Sequence, residues 1–315
     1  MNILRNIIRT FTGDAEDQQP HVALALLGKH PGWQDHIPDI GLETDHLIRL
    51  KSDLYLTGIA GNIDRGSWAK LEASRGLAGF HHAFLFSLND TWTVGRIWSS
   101  SDGTSSRRSH YPMIAAAQVA GVPFSEVGGE VLVRLAELEQ QCRSTESAAD
   151  VIMLADEARA DLRRRIASMQ PPEVDEVASA FDRIKAELDQ QPVDDAFLRI
   201  LYQIEREVPA ACLRTASRGS RSGDATQPRA VSLRVPVCFP NDVEALLMWN
   251  EFCESQFTAA LPRWILCPIG EGWVDLLLGP AGREQFFALK ARPLEVPVSS
   301  DIPYQIDDEF RARFR

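Results

Sequence analysis

The chain has 315 residues, 44% of them hydrophobic and 24% charged, with a formal net charge of −11 and a pI near 5.2. That length and balance belong to a globular protein that buries a core without disulfide or metal staples. The acidic excess disfavours nucleic acid and anionic membrane surfaces as general partners. The five scattered cysteines (Cys142, Cys212, Cys238, Cys253 and Cys267) form no C-x-x-C pair and disfavour a disulfide framework or a zinc ribbon.

In chain order, Ile3, Leu4, Ile7, Ile8 and Phe11 fall at helical spacing and a polar run, Gly13 to Gln19, follows. An N-terminal helix and linker are therefore expected over residues 1–20. Arg5 and Arg9 interrupt the apolar run a secretory signal needs, and no apolar stretch is long enough to span a bilayer. A cytoplasmic protein with no membrane insertion is the expectation.

Val22 to Leu27 reads as a buried strand, and residues 29–46, rich in Pro, Gly, Asp and His, as an irregular loop. Thr44 is placed to cap a helix whose apolar positions are Leu47, Leu50, Leu54 and Leu56. Phe80 to Leu88 and Trp92 to Trp98 alternate around Asn89-Asp90, which predicts a hairpin. A polar loop from Ser99 to Ser109 leads into a third strand, Met113 to Val119, and three such strands need helices laid on them.

Helices are expected with a face of Val131, Leu132, Leu135, Leu138 and Cys142, then from Ala148 to Ile166 with Ser144 as cap, then near 174–190 and 194–207. Pro171-Pro172 is the best candidate boundary, which divides the chain into 21–168 and 174–315. Residues 214–230, with Arg214, Arg218, Arg221 and Arg229, read as a flexible basic loop. The last third reads strand (231–237), helix (242–257, Asn241 as cap), strand (264–268), strand (273–278) and helix (282–289). The fold class is α/β in the α+β sense: a mainly antiparallel or mixed sheet flanked by helices, with a helical middle segment.

Signatures of chemistry are sparse. Neither G-x-S-x-G nor G-x-G-x-x-G is present, and Gly28-Lys29 lacks the leading glycine of a phosphate loop. His30, Asp35, His36, Asp39, Glu43, Asp45 and His46 crowd the 29–46 loop, so a metal-dependent hydrolase stands as an alternative, although no metal-ligand spacing such as H-E-x-x-H occurs. In the second loop an Asp102–Arg pair, with Arg107 or Arg108, would lock the turn and leave the other arginine for an anion.

Gly28, Lys29, Pro31 and Asp35, followed by Gly95, Ser100, Asp102, Arg107 or Arg108, Tyr111 and Pro112, resemble the two motif regions of the TagF (ImpM) family, accessory proteins of bacterial type VI secretion. Gln34 replaces a family glycine, His36 a usual aromatic and Ser99 a proline. The resemblance covers residues 22–120 most clearly and 240–290 more loosely. It implies a cytoplasmic, non-catalytic regulator without cofactor or metal that acts after translation and binds the system's forkhead-associated scaffold protein. Lys29, Asp35, Asp102, Arg107 and Arg108 are the expected binding residues; a structural subunit docked through the first helix or the basic loop is a further alternative.

Overall fold

Strand β1 (His21–Gly28) explains its own composition: Val22, Leu24 and Leu26 enter one apolar cluster, while Ala23, Ala25 and Leu27 enter another. A strand covered on both faces reads as an unbroken apolar run. The computed structural model describes residues 21–104, 111–169, 178–209, 212–213 and 230–314. It shows six further strands: β2 (His81–Leu88), β3 (Thr91–Ser99), β4 (Pro112–Ala120), β5 (Val231–Pro236), β6 (Arg263–Pro268) and β7 (Trp273–Leu278). All seven join one antiparallel sheet in the order β1-β4-β3-β2-β6-β7-β5, in an α+β fold with helices on both faces. The β2–β3 turn at Asn89-Asp90 has both residues at positive φ (50° and 61°), the geometry that matches strand twist in a two-residue hairpin.

Beside β1 lie α1 (Asp45–Leu50), a π-helix (Lys51–Ala60) and α2 (Gly61–Asp64). Together with α8 (Arg283–Phe286), further along the chain, they cover the face of Phe84, Phe86, Trp264 and Leu277. The opposite face carries α3 (Phe124–Arg143), α4 (Ala148–Ser168), α5 (Ala180–Asp189), α6 (Ala196–Glu207), α7 (Asp242–Gln256) and α9 (Asp308–Ala312).

Several expectations need correction. Ser147, whose hydroxyl accepts from the Asp150 N–H, caps α4, whereas Ser144 closes the end of α3. The helix after Thr44 tightens its cap as expected but widens into the π-helix, which swings Leu56 to 53% exposure while Leu54 stays in the core. The break near residues 171–172 does not divide the core, because β2 and β6 are hydrogen-bonded neighbours and Ile166 and Ala180 share one cluster. Pro171 and Pro172, the N-terminal helix and linker at 1–20, and residues 214–229 of the basic loop lie outside the described residues.

The antiparallel register fixes two rims. Gly28 lies opposite Met113 and Ser99 opposite Pro112, so the loops after β1 and β3 leave the sheet at the same end. Val22 opposite Val119 and Ser87 opposite Arg263 mark the other end.

Candidate functional site

The first rim is built by close backbone approach. Gly28 adopts φ +100°, and a Cβ there would lie 2.0 Å from the Pro112 carbonyl oxygen, so only glycine lets β1 turn into the 29–46 loop. The loop closes on itself, with the Ile37 N–H donating to the Gly28 carbonyl at 2.8 Å. It also touches the second loop: the Gly103 N–H donates to the Trp33 carbonyl at 2.7 Å, and a Cβ on Gly103 would lie 2.8 Å from the Pro31 carbonyl.

Lys29 lies at the centre. Its ammonium is buried, donates to Asp102 Oδ2 at 2.6 Å, lies 3.4 Å from Asp35 Oδ1 and sits 5.3 Å from the Tyr111 ring centre. A buried charge needs partners of this kind. Asp102 accepts at its other oxygen from the Thr104 N–H (2.9 Å) and hydroxyl (2.6 Å). The Lys29 hydrogen bond, with help from Thr104, holds the Asp102 carboxyl down to about 2. Asp35 differs: its side chain is 79% exposed and it binds the His36 ring at 2.8 Å, which together with Lys29 holds its carboxyl below the ordinary range.

The sequence-derived residues Lys29, Asp35 and Asp102 therefore meet at one point. Arg107 and Arg108 lie outside the described residues, so the Asp102–Arg pairing is not described; the described partners of Asp102 are Lys29 and Thr104. The imidazoles of the first loop go separate ways. His30 Nε2 meets the Cys142 carbonyl at 2.9 Å while its Nδ1 accepts from Gly32; His36 pairs with Asp35; His46 stacks on Phe86 at 4.4 Å. Burial pushes the His46 imidazole down to about 4. Among the described residues no three His, Cys, Asp or Glu side chains gather as a metal-holding group.

A cleft of about 610 Å³ opens beside Lys29. Its charged lining comprises three carboxylates (Asp35, Asp39 and Asp64) against two ammonium groups, Lys29 and Lys51, with Lys51 paired to Asp39. Its aromatic lining comprises His36, Tyr55 and Tyr111, with ring centres 5.7 to 6.3 Å apart. Tyr55 is 3% exposed and its hydroxyl has no hydrogen-bond partner among the described residues; burial first, and then the nearby Tyr111 and Asp35, push that phenol well above its usual value, so it stays a donor. Sequence reasoning missed Lys51, Tyr55 and Asp64. Their signal was the helical stretch after Thr44, whose face toward the 29–46 loop had to carry something.

Among the described lining residues there is no Ser, Thr or Cys to act as nucleophile. Burial pushes the thiols of Cys142, Cys238 and Cys253 up to about 12, far from the reactive thiolate. No family model matches the chain, and no curated protein matches it.

Proposed function

We propose that this chain is a non-catalytic accessory protein of bacterial type VI secretion, akin to the TagF (ImpM) family, that acts after translation by binding another component of the apparatus. The forkhead-associated scaffold protein is the proposed partner. One observation supports the reading above the others: the two segments that carry the resemblance meet through the Lys29–Asp102 bond, across 73 positions of sequence. Of the residues that resemblance singles out, Lys29 and Asp102 lock two loops together at a sheet rim, where recognition surfaces tend to sit. The exposed Asp35 and Asp39 supply charge that steers a partner toward the cleft.

The test is recovery of partners by the tagged full chain from a bacterium that encodes a type VI apparatus, together with secretion in a strain deleted for the chain. The reading predicts that the scaffold copurifies and that secretion rises on deletion. Recovery of no secretion component, with secretion unchanged, would remove it.

A further inference from the structure

At the opposite rim Arg263 opens β6 and is 3% exposed. Register puts it there: it lies opposite Ser87 and shares a sheet face with Ile265 and Cys267, which belong to the larger apolar cluster. Its Nε donates to Ser87 Oγ at 3.0 Å, while Nη1 is buried with no hydrogen-bond partner among the described residues. No carboxylate forms an ion pair with it among the described residues. The other buried arginine of this sheet half, Arg234, is instead held bidentately by Asp275 at 2.7 and 2.9 Å. A guanidinium without an ion pair in an apolar layer carries a desolvation cost that a bound anion would offset.

Beside Arg263 lies a pocket of about 500 Å³, a size suited to a small molecule. Its apolar wall is set in advance: the Trp92 indole N–H donates to the Val122 carbonyl at 3.0 Å, and the Trp92 ring meets Phe124 edge-on at 5.1 Å. Asp90 and Glu254 also line the pocket and act against negative charge on an occupant, most strongly against a dianion. One buried positive charge, an apolar wall and two flanking carboxylates together select a monoanion with an apolar body.

We propose that this pocket binds a small monocarboxylate, its carboxylate on the Arg263 guanidinium and its apolar body against Trp92 and Phe124. The site is independent of the recognition rim, since it lies at the other end of the sheet.

Calorimetric titration of the full chain with 3-phenylpropionate, its neutral amide and inorganic phosphate tests the proposal. The carboxylate binds; the amide, which forfeits the charge-assisted bonds, binds about tenfold or more weakly, and phosphate binds more weakly than the carboxylate. Arg263→Met abolishes carboxylate binding while the unliganded variant resists heat at least as well as the wild type. Should that variant fail to fold, the carboxylate–amide difference on the wild type decides. Absence of carboxylate binding up to about 10 mM, equal binding of the amide, tighter binding of phosphate, or carboxylate binding retained in Arg263→Met would each overturn the assignment.

Discussion

At one end of the sheet a buried lysine has a carboxylate 2.6 Å away and a second at 3.4 Å; at the other end a buried arginine has a serine hydroxyl at 3.0 Å. Both cations leave water because antiparallel register carries their positions inward, Lys29 just past Gly28 and Arg263 opposite Ser87. The difference lies in what the neighbouring loop delivers. After β3 the chain returns across β1 and brings Asp102 to Lys29. At the far end the two-residue β2–β3 hairpin brings Asp90 only as far as the pocket wall, and no carboxylate forms an ion pair with Arg263 among the described residues. A cation satisfied within its own chain stitches loops together; one with no ion pair among the described residues is where the proposed ligand would supply the counter-charge.

The comparison can be broken or sharpened by substitution. The largest effect is expected at the reference pair in the core: Asp275→Ala strands the Arg234 guanidinium and should cost about 3–5 kcal/mol in urea unfolding. Arg263→Met should act in the opposite direction, with the unliganded protein gaining about 1–4 kcal/mol, since replacing a buried charge by an apolar side chain of similar volume removes a desolvation cost. A loss instead would show that the Ser87 hydrogen bond outweighs that desolvation cost. Gly28→Ala forces a Cβ against the Pro112 carbonyl at positive φ, and should cost about 1–3 kcal/mol while loosening the contact between the two loops.

The smallest effect is a pH dependence. The Asp102 carboxyl falls from its ordinary 3.8 to about 2 on folding, so its contribution is complete above about pH 4 and is lost as the pH drops toward 2. Stability of the wild type should therefore decline faster than that of Asp102→Asn across that window, as followed by circular dichroism. Parallel curves would mean that the Lys29–Asp102 bond contributes nothing in solution.

Much of this was legible in the sequence because it rests on local pattern. The alternation of Phe80 to Trp98 around Asn89-Asp90 gives the hairpin, and Asn241 and Thr44 cap where their side chains can reach an N–H. The resemblance puts Lys29 and Asp102 on one expected surface, but the sequence reading pairs Asp102 with Arg107 or Arg108, and the direct Lys29–Asp102 bond comes only from the fold. Three features were hidden. The π-helix shifts its face by one residue per turn, so a 3.6-residue reading put Leu56 in the core. The sharing of one sheet by both halves depends on the long-range β2–β6 pairing, which no local pattern encodes. Arg263 did carry a signal, a charge in line with Ile265 and Cys267 on an inward-facing alternation, but its burial becomes visible only once the register is known.

The most direct test of recognition at the Lys29 rim is a titration of purified scaffold protein against three forms of the full chain: wild type, Asp35→Arg/Asp39→Arg and Asp90→Arg. Asp35 and Asp39 are exposed on the proposed surface, whereas Asp90 is exposed at the opposite end of the sheet. The account predicts that the double reversal weakens binding by about tenfold or more while Asp90→Arg leaves it unchanged. Equal affinity for all three, or a loss confined to Asp90→Arg, would contradict it.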